Sequence, residues 1–191
     1  MQKIKKAIVF CFDGIEIGEA VIVIDLLKRA NIKVLLVTNK EEKIAIASNK
    51  MFLTCEECIK YINLKHIEYF ANEYDCFILP GGKNQQVNAQ NDIVSEKIFK
   101  LANQNKKIIG AICASPLTLY NWGIINDFNF CVFPSLKISE LNNKKTTLVN
   151  KNIITSISLG TSFEFALAII EKLLSKQEAN KVKNQIIYKN K

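Results

Sequence analysis

One cysteine stands where the sequence predicts a sharp turn. Cys113 comes directly after residues 107–112, which predict a buried strand, and directly before residues 114–122, which predict a helix. A side chain in such a turn is exposed at the edge of the sheet, as in nucleophile elbows. The N–H groups at the start of a helix favour a thiolate, so the sequence predicts a reactive thiol. The alternative is a buried cysteine that ends a strand and has no chemical role.

A carboxyl group and two glycines are expected close to this thiol. Glu19 lies in the first turns of the helix that follows the first predicted strand, and Gly81 and Gly82 follow the third. Open α/β sheets bind ligands where the carboxyl ends of their strands meet. A protonated Glu19 can donate a hydrogen bond to the thiolate, and the glycines allow N–H groups to form an oxyanion pocket. The alternatives are an ordinary first-turn glutamate and a plain turn after a strand.

Two other features have weaker chemical signals. Cys55 and Cys58 have the spacing of a redox motif, but no second pair is present for zinc and the segment does not join a strand to a helix. His66, the single histidine, precedes the third predicted strand, so a cysteine–histidine pair would require it to fold back onto Cys113.

These residues are positioned by alternating strands and helices. The predicted strands cover residues 6–13, 32–38, 75–79, 107–112, 128–133, 146–149 and 153–157, the predicted helices cover residues 14–30, 93–104, 114–122 and 162–174, and a small hairpin is expected within residues 41–54. This order predicts right-handed crossovers and a three-layer α/β/α sandwich around a mainly parallel sheet. We expect one domain over residues 1–191, since no linker or repeat is apparent.

The composition argues against several classes of function. The net charge is +8, but Arg29 is the single arginine and the lysines are dispersed, so no nucleic-acid partner is expected. No segment has the ~20 apolar residues that a membrane span needs. Most of the six cysteines lie in or beside apolar segments, which is typical of free thiols in a reducing compartment. The chain is therefore expected to be cytoplasmic.

Several motifs resemble one known family. The segments Leu79-Pro-Gly-Gly82, Ala111-Ile-Cys-Ala114 and, above all, Gly160-Thr-Ser-Phe-Glu-Phe-Ala-Leu-Ala-Ile169 are similar to the DJ-1/ThiJ/PfpI superfamily, and within it to the branch of small DJ-1-like proteins. The resemblance covers nearly the whole chain.

The resemblance implies a flavodoxin-like fold and a homodimer without cofactor or metal. It also implies an oxidisable cysteine at Cys113, a protonated glutamate at Glu19, and backbone around Gly82 and Ala114 that stabilises negative charge. The implied substrates are small reactive aldehydes or glycated protein side chains, and the implied roles are glyoxalase or protein deglycase activity, protection against oxidative stress and chaperone-like behaviour.

Differences between this sequence and other members of the superfamily argue against some of the superfamily's activities. Ala114 stands where proteases and larger chaperones have a histidine, and no histidine follows Cys113 as glutamine amidotransferases require. Phe133 replaces a histidine that some members carry near the cysteine. Ile157-Ser-Leu159 replaces a more polar stretch, which affects the shape of the pocket and so the substrate.

Three hypotheses about function follow. The first is a cysteine-dependent glyoxalase or deglycase in which Cys113 attacks the aldehyde carbon, Glu19 relays a proton, and Arg29 is a candidate contact for an anionic substrate group. The second is a non-enzymatic redox sensor or chaperone that responds to oxidation of Cys113. The third, a flavodoxin-like ligand carrier, lacks a Ser/Thr-rich phosphate loop after the first strand.

Overall fold

A mostly parallel sheet forms the centre of the computed structural model, which describes residues 3–136 and 145–189. The strands are β1 (Lys6–Phe10), β2 (Lys33–Thr38), β3 (Ile44–Ile46), β4 (Phe52–Thr54), β5 (Glu57–Cys58), β6 (Cys76–Leu79), β7 (Ile108–Ile112), β8 (Thr147–Asn150) and β9 (Ile153–Ser156). The main sheet has the order β5-β2-β1-β6-β7-β9-β8. The pairing between β8 and β9 is antiparallel, and the other neighbours in this sheet pair in parallel. Strands β3 and β4 form a separate antiparallel hairpin.

Helices cover both faces of the main sheet. They are α1 (Ile17–Arg29), α2 (Leu64–Glu73), α3 (Lys83–Gln90), α4 (Ile93–Gln104), α5 (Pro116–Asn121), a 3₁₀ turn (Leu159–Thr161), α6 (Ser162–Leu173) and α7 (Lys176–Gln185). Helices α1 and α6 cover one face and α2 to α5 the other. The predicted three-layer α/β/α sandwich with a mainly parallel sheet is confirmed.

Strand β1 shows why its sequence is apolar throughout. Ala7 and Val9 face the core under α1 and α6, whereas Ile8 and Phe10 face the core under α2 and α4. A strand in the middle of such a sheet is buried on both faces. Its sequence therefore does not alternate between apolar and polar residues.

The predicted strand at residues 128–133 is wrong. This segment has no regular secondary structure. Two of its N–H groups donate hydrogen bonds to Cys113 and to a residue near it. The N–H of Cys131 donates to Thr155 Oγ1 at 2.8 Å, and that of Phe133 donates to the carbonyl of Cys113 at 2.8 Å. An apolar pattern alone does not distinguish such a segment from a strand.

Three helices were not predicted: α2, α3 and α7, of which α3 and α7 have largely polar sequences. In α3, the side chain of Gln85 is fully buried, accepts a hydrogen bond from the N–H of Phe12 at 2.6 Å and donates one to the carbonyl of Phe10 at 2.8 Å. Its amide therefore completes the backbone hydrogen bonding at the end of β1. In the part of the chain that the structure describes, no helix is long and apolar enough to cross a membrane.

Packing between β7 and α6 leaves no room for a side chain at Gly110. A Cβ there would lie 2.9 Å from Phe165 Cζ and 3.0 Å from Ile169 Cδ1, both of them buried. We expect Gly110→Ala to lower the free energy of unfolding by about 1–3 kcal/mol, because overpacking displaces these side chains. Urea unfolding measures this change.

Gly160→Ala is the matched control. Among the described residues, a Cβ at Gly160 would meet only Ser158 Oγ, at 3.9 Å, so this substitution is expected to leave the unfolding free energy nearly unchanged. Equal effects of the two substitutions would contradict the close packing of α6 against β7.

Candidate active site

Cys113 occupies a strained turn immediately after β7. Its φ angle is +64°, in the left-handed region that residues with a Cβ rarely adopt. The turn is held by its own N–H, which donates to the carbonyl of Ser156 at 2.9 Å, and by its carbonyl, which accepts from Phe133. Ser115 Oγ also donates to the carbonyl of Pro80 at 2.5 Å. Contacts on three sides therefore fix the direction of the Cys113 side chain.

Glu19 reaches this cysteine from the first turns of α1. Its side chain is fully buried, and the N–H of Gly81 donates to its Oε2 at 2.8 Å. The carboxyl group lies beside the Cys113 thiol, close enough for a hydrogen bond. Oε1 has no partner of normal hydrogen-bond geometry among the described residues. A proton on this oxygen is therefore available to the sulfur or to a substrate.

Burial raises the pKa of the Glu19 carboxyl from its ordinary value of 4.5 to about 7. The N–H of Gly81 and the thiol of Cys113 act in the opposite direction, and the nearby carboxylate of Glu16 adds to the rise. A carboxyl with this pKa exchanges its proton near neutral pH, which is what an acid–base catalyst in the cell requires.

The pKa of Cys113 is also raised, contrary to the expectation of a helix-stabilised thiolate. Burial is the main cause and the carboxylate of Glu19 the next, while the N–H groups of Gly82 and Ala114 lower it. Helix α5 begins only at Pro116, which has no N–H to offer. Because two adjacent anions disfavour each other, the thiol and the carboxyl titrate as a coupled pair.

Close contacts with neighbouring atoms require glycine at positions 81 and 82. A Cβ on Gly81 would overlap both Cys113 Cβ and Glu19 Oε2. Gly82 has a φ of +111°, and a Cβ there would overlap the carbonyl of Gly14. With the N–H groups of Gly82 and Ala114 both directed at the Cys113 sulfur, this region can stabilise negative charge on sulfur or on a bound oxygen.

A cavity of about 520 Å³ leads to the sulfur. Cys113, Glu19, Gly82 and Ala114 line its inner part, and its other walls include Glu16, Ser48, Lys83, Gln86, Val87, Phe133, Ser135, Leu136, Ser158 and Leu159. It therefore combines a thiol, a carboxyl and two N–H donors with both charged and apolar walls.

The structure brings together five of the predicted site residues, namely Cys113, Glu19, Gly81, Gly82 and Ala114, but not Arg29. Arg29 is the last residue of α1, whereas Glu19 is in its first turn, so most of a thirteen-residue helix separates them. The Arg29 side chain is half exposed and its Nε pairs with Asp25 Oδ2 at 2.7 Å. It does not line the cavity.

The other candidates from the sequence also lie outside the cavity. His66 is exposed on α2, with its Nδ1 at 2.9 Å from Asn63 Oδ1. Among the described residues, no group of three His, Cys, Asp or Glu side chains is placed to hold a metal ion.

Sequence reasoning missed some residues of the cavity wall. Ser48 comes from the loop of the β3–β4 hairpin, and Glu16 precedes α1. Lys83 begins α3, directly after Gly82. Its position beside the predicted glycine turn is the sequence feature that could have indicated its place in the cavity wall. Nothing in the sequence indicates that the hairpin loop approaches the site.

The match to a family model is decisive for the identity of this chain. The model of the DJ-1/PfpI family covers residues 5–172. The chain belongs to the DJ-1/PfpI family. It is 30% identical over 196 residues to the Parkinson disease protein 7 homolog of Danio rerio, covering 97% of this chain and 98% of that one.

Other DJ-1 relatives agree with this family assignment. The chain is 28% identical over 166 residues to the glutathione-independent glyoxalase DJR-1.2 of Caenorhabditis elegans, covering 85% and 84% of the two chains. It is 34% identical over 171 residues to the DJ-1 homolog B of Arabidopsis thaliana, of which it spans 37%, while 87% of this chain is covered.

The fold agrees as well. The crystal structure of Drosophila melanogaster DJ-1beta superposes with a TM-score of 0.88 at 26% identity, covering 98% of this chain and all of that one. The flavodoxin-like fold that the sequence resemblance implied is therefore confirmed.

The raised pKa of Glu19 predicts how stability depends on pH. The folded state holds the Glu19 proton up to about pH 7, whereas the unfolded chain releases it near pH 4.5, so this group lowers the unfolding free energy as the pH rises between these values. Above pH 7 the loss amounts to roughly 3 kcal/mol. Glu19→Gln is therefore expected to be more stable than the wild type by about that amount at pH 8, and by much less at pH 4.

Urea unfolding of both proteins across this pH range measures the difference. Exposed Glu171 on α6 offers the control, because Glu171→Gln makes the same chemical change outside the buried site. A pH-independent difference for Glu19→Gln would contradict the raised pKa.

Proposed function

We propose that this DJ-1/PfpI chain is a cysteine-dependent, cofactor-independent glyoxalase that converts methylglyoxal, or its adducts with amines and thiols, to lactate. The observation that carries the proposal is the buried Glu19 carboxyl beside the Cys113 thiol at the inner end of a cavity. The name of the C. elegans relative, a glutathione-independent glyoxalase, supports a small reactive carbonyl compound as the substrate class.

The first step forms a bond between Cys113 sulfur and the aldehyde carbon. The Glu19 carboxylate takes the proton of the Cys113 thiol as the sulfur–carbon bond forms, and this proton then passes to the aldehyde oxygen. The product is a hemithioacetal, and Glu19 is again a carboxylate. The N–H groups of Gly82 and Ala114 offset the charge that develops on the oxygen.

The second step moves a proton between neighbouring carbons of the substrate. The Glu19 carboxylate removes the proton from the carbon bound to sulfur to give an enediolate, and Glu19 returns this proton to the adjacent carbon. The hydroxyl proton of the hemithioacetal moves to the neighbouring oxygen, so the carbon bound to sulfur becomes a carbonyl carbon. The hemithioacetal thereby becomes a lactoyl thioester of Cys113. Water then cleaves the carbon–sulfur bond, which releases lactate and restores the thiol. The net reaction adds one water to methylglyoxal, so no cofactor or external oxidant is consumed.

The cavity volume favours adducts as well as free methylglyoxal. A molecule with five non-hydrogen atoms fills a small part of about 520 Å³. The remaining space, between Ser48, Lys83 and Leu159, can accept the amine or thiol part of an adduct, including a glycated protein side chain. This extends the proposal to deglycase activity.

We expect methylglyoxal to be converted to lactate by the wild type and not by Cys113→Ala. Glu19→Gln keeps the shape of the side chain but cannot move a proton, so its rate should fall by roughly 10²–10⁴-fold. Methylglyoxal consumption with quantification of lactate measures both effects.

Half-buried Cys58 lies outside the cavity, so Cys58→Ala serves as the control for loss of a thiol and should retain the wild-type rate. If the folded, reduced wild type forms no lactate from methylglyoxal, the proposed glyoxalase activity is excluded.

A redox sensor is the second candidate, favoured by the surroundings of the sulfur. Two N–H groups and a carboxyl that can donate a proton also suit a sulfinate, which carries negative charge on oxygen. Peroxide would transfer one oxygen atom to the Cys113 thiolate to give a sulfenic acid, and a second peroxide would give the sulfinic acid, each step releasing water.

Mass spectrometry after mild peroxide treatment tests this candidate. We expect a sulfinic acid at Cys113, and a smaller yield in Glu19→Gln because the amide cannot donate the same charge-assisted hydrogen bond. If Cys113 stays reduced while Cys58 gains oxygen, the sensor is excluded.

We also propose that the chain forms a homodimer in the cytoplasm. Val21 on the outer face of α1 and Met51 and Phe52 on the β3–β4 hairpin are half or more exposed. Apolar side chains of this size on neighbouring elements are typical of a subunit interface.

A further inference from the structure

Two buried cysteines lie against each other outside the candidate active site. Cys11 follows β1 and is fully buried, and Cys55 follows β4 with 4% of its surface exposed. Cys11 Sγ donates to the carbonyl of Val9 at 3.6 Å and Cys55 Sγ to that of Leu53 at 3.8 Å, and each thiol is the main influence on the pKa of the other, so the two lie side by side. Both belong to the core on the α1 and α6 side of the sheet. Neither lines the cavity that leads to Cys113.

Hydrogen bonds between the β3–β4 hairpin and the loop after β1 bring these distant residues together. The N–H of Gly14 donates to the carbonyl of Ile46 at 2.7 Å, and the N–H of Ser48 donates to the carbonyl of Ile15 at 2.9 Å. The hairpin is therefore fixed on the segment that leads into α1. The thiol that Cys55 contacts is that of Cys11, and not that of Cys58, with which it shares the spacing of a redox motif.

We propose that Cys11 and Cys55 form a second, redox-responsive site, in which a hydroperoxide converts the two thiols to an intramolecular disulfide. This site is independent of the reactive Cys113 and of the proposed glyoxalase activity.

The two thiols have different roles in this oxidation. The Cys11 thiol and the N–H of Ala45 stabilise negative charge on Cys55 and lower its pKa, whereas the same contact and burial raise the pKa of Cys11. Cys55 also has a small exposed surface, which Cys11 lacks, so Cys55 is the attacking thiolate and Cys11 the resolving thiol.

The oxidation consumes one hydroperoxide. The Cys55 thiolate takes one oxygen from the peroxide to give a sulfenic acid, and the peroxide leaves as water or an alcohol after protonation. The Cys11 sulfur then attacks the Cys55 sulfur, its proton and the hydroxyl leave as a second water, and the disulfide forms. Two thiols are oxidised and one peroxide is reduced.

The disulfide would connect two walls of the cavity. Cys55 is attached to the hairpin whose loop carries Ser48, and Cys11 to the segment that leads through Glu16 to Glu19. A covalent bond between them restricts movement of the hairpin away from α1. The oxidation state of this pair can therefore alter access to Cys113 without any change at Cys113 itself.

Peptide mapping of the full chain tests the proposal. The reduced protein is treated with hydrogen peroxide, remaining thiols are alkylated, and the digest is analysed by mass spectrometry without reduction. We expect a linked pair of peptides containing Cys11 and Cys55 that disappears after dithiothreitol. Cys113→Ala should form the same link, since Cys113 takes no part in it.

Three alanine variants serve as controls, with folding checked by circular dichroism. Cys11→Ala and Cys55→Ala should lose the linked peptides, and alanine keeps these buried positions apolar. Cys76→Ala removes an equally buried cysteine of β6 and should retain the link. A link between Cys55 and Cys58, or two thiols that remain reduced while Cys113 is oxidised, would overturn the proposal.

Discussion

The structure of the site depends on one contact, that between the buried carboxyl of Glu19 and the thiol of Cys113. Burial penalises charge on both groups, and each anion disfavours the other, so the pair resists holding two negative charges and both pKa values are raised. The sheet order makes this contact possible. Strands β1, β6 and β7 are neighbours, and the segments that follow them carry Glu19, Gly81 and Cys113.

The surrounding fold must offset the cost of this arrangement. A residue such as Cys113 in the left-handed region costs about 1–3 kcal/mol, and burial of the Glu19 carboxyl adds to this. The hydrogen bonds from Cys113 to Ser156 and from Phe133 to Cys113 hold the turn in place. Gly81 completes the site because any side chain there would occupy the space in which the thiol and the carboxyl meet.

The residues at strand ends could be predicted from the sequence, and the outer wall of the cavity could not. Cys113, Glu19 and the two glycines follow apolar strands, so the rule that parallel strands end at one edge was sufficient to place them together. Ser48 reaches the cavity through the docking of a hairpin, which depends on long-range backbone contacts. The same docking pairs Cys11 with Cys55, which no spacing rule indicates.

The errors in the predictions from sequence also arise from contacts between residues that are distant in the chain and from the details of the Cys113 turn. Residues 128–133 look like a strand because they are apolar, but their N–H groups bond to the reactive turn and to a side chain of β9. Helix α3 was missed because its sequence is largely polar, and its buried Gln85 hydrogen-bonds the end of β1. The low pKa expected of Cys113 assumed a helix that starts at once, whereas α5 begins at a proline three residues later.

The most direct test of the central claim is a titration of the Glu19 carboxyl by carbon-13 NMR in the wild type and in Cys113→Ala. We predict that the Glu19 signal titrates with a pKa near 7 in the wild type and that its titration changes when the thiol is removed. A Glu19 carboxyl that titrates near its ordinary value of 4.5 in both proteins would contradict the raised pKa of this buried group.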